Sequence, residues 1–169
     1  KKHSVVVSAD AVFEMVQDAL DLIEFANGSV DTYWGKLRAD MGHPESFNLT
    51  MLGIGNEQWQ TDKVDFFARY EAFEKAIHEC YPDIRLIGSA GPDITSERYK
   101  MAWDFYKEKV PQKENFCYAV DEHYYVRPEW FYEHTDFYDE YPRDVKVFSG
   151  ECATVSDSGS GLSFGDCIA

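Results

Sequence analysis

Four short apolar runs recur along the chain roughly every 30 residues, the length of a strand–helix–strand unit, and this rhythm restricts the fold more than any other feature. The runs are NLTMLGIG (48–55), IRLIGSAG (84–91), FCYAVDEHYY (116–125) and VKVFSGECA (145–153), centred near residues 53, 86, 120 and 148. A helical pattern fills each gap: Val64 to Cys80, Glu97 to Lys109, and a stretch opened by Pro128 that runs to about Tyr138. Ahead of the first run, Val12, Met15, Val16, Ala19, Leu20, Ile23 and Ala26 repeat near the helical period, and Asn27-Gly28 gives the stop. Tyr33 to Gly42 reads as a further short helix, followed by Pro44. Strands separated by helices are the pattern of parallel βα units.

Two architectures share that rhythm, the open doubly wound sheet and the closed (β/α) barrel. The open sheet usually announces itself with a glycine-rich nucleotide loop. GIGNE, residues 53–57, lacks the third glycine and the helix directly after it, so it is a poor dinucleotide motif. What stands at the strand ends favours the barrel. The first run ends in Asn56-Glu57, the second in Ser89-Ala90-Gly91, the third in Glu122-His123-Tyr124-Tyr125, and the fourth in Glu151. Barrel enzymes build their sites at this carboxyl edge. The fold predicted is therefore an α/β chain of the TIM-barrel type. Eight strands close such a barrel and about 250 residues is usual. Four runs in 169 residues make this a partial barrel domain, with no second domain visible and flanking parts expected elsewhere.

Composition narrows the partners. The formal charge of −15 is spread over the whole length, which repels phosphate backbones and argues against nucleic acid. No segment approaches the roughly 20 apolar residues of a membrane span. Aromatic residues reach 16%, and tyrosine or tryptophan beside carboxylates suits carbohydrate, whose C–H faces lie well on rings. Cys80, Cys117, Cys152 and Cys167 are isolated, which argues against a zinc or redox site and leaves the disulfide state open. Cys80 on a helix and Cys117 on a strand are expected to be buried thiols. The opening KKHSVVVSAD has no apolar core of signal length. The compartment stays unknown, a secreted or periplasmic location being favoured over the cytoplasm.

Longer phrases carry a more specific signal. VQDALDLIEFANG, WGKLRADMGHPE, LGIGNEQW, DEHYY and VFSGECA stand in an order that resembles the catalytic barrel of the α-L-arabinofuranosidases of glycoside hydrolase family fifty-one. The likeness runs from about Val16 to Ala153 and implies that the four runs are barrel strands four to seven. It implies a retaining glycoside hydrolase that releases terminal α-L-arabinofuranosyl residues from arabinose-containing carbohydrates by double displacement. In that reading Glu57 is the acid/base, Glu151 the nucleophile, and Asn56 grips the sugar hydroxyl beside the reacting carbon. His123 and Tyr125 are expected in the site, with the Tyr125 hydroxyl directed at the nucleophile. Alternation sends these two to one face and Tyr124 to the other. Trp59, two residues past the acid, is a candidate wall of the sugar pocket, packing being the competing role. Trp34, Trp103 and Trp130 fall in helical patterns and read as packing residues, and His43 as a loop residue.

The chemistry needs such a pair, one carboxyl protonated to help the leaving oxygen depart and the other ionised to attack. No cofactor is implied. A metal held by Asp121, Glu122 and His123 is set aside, since neighbours on a strand alternate faces. Where the family has Gly-Glu-Tyr-Ala, this chain has Gly150-Glu151-Cys152-Ala153, with Cys152 expected to point away from the site. Two other readings remain: a barrel glycosidase of the same clan acting on xylan or β-glucans, and a truncated, non-catalytic carbohydrate-binding fragment. Linkage preference and oligomeric state are not legible.

Overall fold

The structure is a computed structural model that describes residues 8–155. The Ser/Gly-rich run TVSDSGSGLSFGD, whose composition reads as a loop, falls outside those residues from Ser156 onward, as do Cys167 and most of the opening KKHSVVVSAD. The elements run α1 (Ala9–Asn27), α2 (Tyr33–Asp40), β1 (Met51–Ile54), α3 (Phe66–Cys80), β2 (Arg85–Ser89), α4 (Glu97–Lys109), β3 (Ala119–Val126), α5 (Pro128–Glu133) and β4 (Lys146–Thr154), with a 3-10 turn at Val110–Gln112. The sheet has four strands in chain order, and β2–β3 and β3–β4 pair in parallel. The chain is thus α/β with a parallel sheet. The described residues pack as two compact units, one made of residues 8–54 and Thr61–Leu86, the other of Gly55–Gln60 and residues 87–155.

In the first unit each helix starts on a side-chain cap. Ser8, Thr32 and Asp65 accept from the backbone N–H of Ala11, Gly35 and Ala68, satisfying a donor that the helix cannot. The buried stripe of α1 is Val16, Ile23 and Ala26. Arg38 on α2 is 1% exposed. Its guanidinium donates to the carbonyls of His43 (3.0 Å), Phe25 (2.8 Å), Gly28 (2.8 Å) and Pro44 (3.1 Å). One fixed fork of donors therefore ties the end of α1, the following turn and the 43–44 loop together. On α3, buried Glu74 holds His78, whose other nitrogen lies 2.9 Å from the Ile84 carbonyl just before β2.

The second unit is built on β3, which separates two chemistries by face. Glu122 and Tyr124 point to one side, Asp121, His123 and Tyr125 to the other. Glu122 is fully buried against α4. Its carboxyl accepts from Tyr99 (2.6 Å), Trp103 Nε1 (2.8 Å) and Tyr138 (3.2 Å), and also from Tyr124. Tyr141 joins through Tyr99, and Tyr138 contacts Tyr124. Burial pushes the Glu122 carboxyl above its usual range, against the pull of these hydrogen bonds. Gly88 on β2 has no room for a side chain, because a Cβ there would overlap the Tyr106 ring.

Three sequence expectations shift. The third strand begins at Ala119, so Cys117 lies just before it, buried. Cys80 ends α3 exposed, on the solvent side of the helix stripe. The helix expected to reach Tyr138 stops at Glu133, because His134 Nδ1 lies 2.8 Å from the Trp130 carbonyl and takes the place of the next helical N–H. The His134 ring stacks on Trp130 at 4.4 Å, and the turns that follow deliver Tyr138 and Tyr141 to the Glu122 network.

Candidate active site

The site lies within the second unit, at the carboxyl ends of β3 and β4 and in the loop 55–60. That loop is sharply turned: Gly55 has φ 91° and Glu57 has φ 54°. The left-handed region is unfavourable for a residue with a side chain as long as glutamate, so it persists only where neighbours hold it. Those neighbours are visible. The Asn56 N–H donates to Gln58 Oε1, and the buried Ser89 hydroxyl donates to the Gln58 carbonyl at 3.2 Å. Ser89 Oγ also accepts from the Gly91 N–H at 3.2 Å. The Ser-Ala-Gly at the second strand end thus fixes the loop that carries Glu57.

His123 is the centre, only 2% exposed. Its Nδ1 lies 3.1 Å from Glu57 Oε1 and 3.6 Å from Glu151 Oε2, and its Nε2 lies 3.2 Å from Asp121 Oδ2. Glu57, His123 and Glu151 each present one atom within 4.8 Å of the others. The Tyr125 hydroxyl donates to Glu151 Oε2 at 2.5 Å. The two carboxylates are 35% and 40% exposed, so a ligand from solvent reaches both while the imidazole between them stays covered. Burial works to lower the His123 pKa. The hydrogen bond to Glu57 and the charges of Asp121 and Glu151 outweigh it, and the pKa ends raised. When protonated, the ring donates from both nitrogens, to Glu57 and to Asp121. Glu57, His123 and Glu151 also have the spacing that a small cation accepts.

Of the residues expected from sequence, Glu57, Glu151, His123 and Tyr125 come together. Asn56 is exposed in the same turn as Glu57. Trp59 is half-buried, with the Arg98 guanidinium 4.4 Å from the centre of its ring, so one aromatic face is already occupied. Cys152 pairs with Tyr124 across the ladder, on the face away from Glu151. A shallow cleft of about 390 Å³ opens from Tyr125 toward Arg127, Glu129 and Trp130. Two further residues belong to the site: Ser89, which in sequence is only a polar strand end, and Asp121, whose place two residues before His123 puts it on the same face.

Similarity to known proteins identifies the family. Residues 1–143 match the model of the alpha-L-arabinofuranosidase 1 domain. An extracellular exo-alpha-L-arabinofuranosidase of Streptomyces chartreusis is 45% identical over 144 residues, 85% of this chain and 16% of that protein. Alpha-L-arabinofuranosidase A of Aspergillus kawachii is 34% identical over 146 residues, 86% of this chain and 21% of the relative. Among solved structures, the arabinose-bound MgGH51 α-L-arabinofuranosidase superposes with a TM-score of 0.67 at 29% identity, over 95% of this chain and 23% of that one. The chain therefore spans about a fifth or less of the curated relatives it matches. On the family match and these identities, the chain belongs to the alpha-L-arabinofuranosidase 1 domain family.

Proposed function

We propose that this chain supplies the catalytic pair of a retaining α-L-arabinofuranosidase, a glycosidase that removes terminal arabinofuranosyl groups from arabinose-containing carbohydrates. Glu57 protonates the leaving oxygen, Glu151 attacks the anomeric carbon, and Glu57 then activates the water that releases the sugar. The observation that carries the reading is the approach of the two carboxylates within 4.8 Å around His123. Retaining pairs stand ~5–5.5 Å apart and inverting pairs ~6.5–9.5 Å, which leaves room for a water between them. Asn56, beside the acid, grips the hydroxyl next to the reacting carbon, and Trp59 flanks the pocket. The four parallel strands are read as strands four to seven of a (β/α)8 barrel, which would put the first and last of them on opposite sides of its mouth. The name of the Streptomyces relative favours secretion.

Tyr125 holds Glu151 in its attacking orientation. The bond to Glu151 is also the main reason its own pKa is raised, so it stays a hydroxyl donor at neutral pH. In the intact protein, Tyr125→Phe is expected to lower kcat by roughly ten- to a hundredfold, the usual effect of losing a hydrogen bond to a charged group. KM should move far less, and an unchanged kcat would make this ring packing only.

The reading of substrate is tested with aryl glycosides. The intact protein should release p-nitrophenol from the α-L-arabinofuranoside and leave the α-L-arabinopyranoside and β-D-xylopyranoside untouched. Preference for a pyranoside would move the chain to a xylan- or glucan-type specificity.

A further inference from the structure

We propose that Asp121 is a positioning residue for this reaction, holding the bulge in β4 that turns Glu151 toward Glu57. The inference rests on the reading of those glutamates as the catalytic pair. Along the β3–β4 ladder, Asp121 stands opposite Phe148 and Glu122 opposite Ser149, but His123 stands opposite Glu151. Gly150 is therefore an extra residue in β4. Strand side chains alternate, so a one-residue change reverses every face beyond it. Without the bulge, Glu151 would point to the side of Glu122 and Tyr124, away from His123 and Tyr125.

The bulge has a specific holder. Asp121 Oδ1 accepts the Gly150 N–H at 3.0 Å. That amide is on the inserted residue, which a bulge leaves out of the ladder. The fit is close enough that a Cβ at Gly150 would run into the same carboxyl oxygen. The second oxygen, Oδ2, lies 3.2 Å from His123 Nε2. One carboxylate thus fixes both the backbone ahead of Glu151 and the ring that lies between Glu151 and Glu57. The charged groups that face this ring are Glu57, Asp121 and Glu151, and Tyr125 meets it only through Glu151.

The two tasks of Asp121 separate in different variants of the intact protein. Asp121→Ala removes both and is expected to lower kcat on an aryl arabinofuranoside by roughly ten- to a hundredfold, with KM little changed. Asp121→Asn keeps an oxygen for the Gly150 amide but no charge. It should recover most of the rate, while the His123 imidazole, followed by NMR, loses its proton at lower pH than in the wild type. Gly150→Ala presses on the same carboxyl and should slow the wild type, yet add little to Asp121→Ala. Wild-type kcat in Asp121→Ala, an unmoved His123 titration in Asp121→Asn, or fully additive losses in the double variant would overturn the proposal. If the wild type releases no arabinose, the assigned reaction fails by itself. The His123 titration and a crystal structure of Asp121→Ala then decide the role of Asp121, with Glu151 turned away supporting it and an intact bulge refuting it.

Discussion

Glu151→Ala should abolish turnover on every arabinoside, whatever its leaving group, by a factor on the order of 10⁴–10⁶, the scale set by losing a covalent nucleophile. No neighbour can substitute, because the remaining carboxylates nearby, Glu57 and Asp121, are both turned to His123. Glu57→Ala should behave differently. A general acid contributes ~10²–10⁴-fold, and the loss shrinks when the leaving group departs without protonation. Glycosylation of the enzyme by an activated aryl arabinofuranoside should therefore be partly spared, and natural linkages hit hardest. Added azide separates the two variants further. It should enter from the vacated face in Glu151→Ala and give the inverted β-arabinofuranosyl azide. In Glu57→Ala it should intercept the covalent intermediate and give the α product. Equal losses on activated and unactivated substrates would contradict the assignment.

The largest effect on stability is expected at Glu122, which touches no part of the site. Alanine there removes the acceptor for Trp103 Nε1 and for the tyrosine hydroxyls around it, and leaves a cavity in a fully buried position. Unsatisfied buried donors cost about 1–3 kcal/mol each, but the hydroxyls can in part bond one another, so a loss of about 3 kcal/mol is expected. Glu122→Gln keeps an acceptor and should lose much less. The pH dependence has a definite sign. Because burial raises the folded-state pKa, folding favours the protonated carboxyl. The stability so contributed is fully present below the unfolded value, 4.5, and fades as pH rises through the raised folded value. Denaturant unfolding from pH 4 to pH 8 should show wild type losing stability relative to Glu122→Gln as pH rises. A constant difference between the two would mean that folding leaves the Glu122 pKa where it stands in the unfolded chain.

The periodic part of the fold was legible because it rests on local chemistry. Helical spacing and the stops at Asn27-Gly28 and Gly42 located α1, α2 and α4 within about two residues, and each of the four strand runs overlaps a strand, the third and fourth stopping one residue short of Val126 and Thr154. What escaped depends on contacts distant in sequence. Nothing near residue 134 says that a histidine will close the helix on its own i−4 carbonyl, or that the tyrosines beyond it converge on Glu122. Arg38 reads as an ordinary polar position on a short helix, although it organises the chain from Phe25 to Pro44. The site divides in the same way. Strand ends and alternation were enough to bring His123 and Tyr125 to one face, and the family likeness singled out Glu57 and Glu151. The bulge at Gly150 has no local signature beyond the glycine itself, so the dependence of Glu151 on Asp121 could be found only from the ladder register.

The stereochemistry of the first-formed product tests the central claim most directly. Proton NMR of the intact protein acting on p-nitrophenyl α-L-arabinofuranoside, recorded before mutarotation, separates the two anomers of free arabinofuranose. Two carboxylates this close leave no place for a water opposite the leaving group, so the α anomer should appear first and the β anomer only as it equilibrates. Initial accumulation of the β anomer would mean direct displacement by water, and Glu151 could not then be the nucleophile.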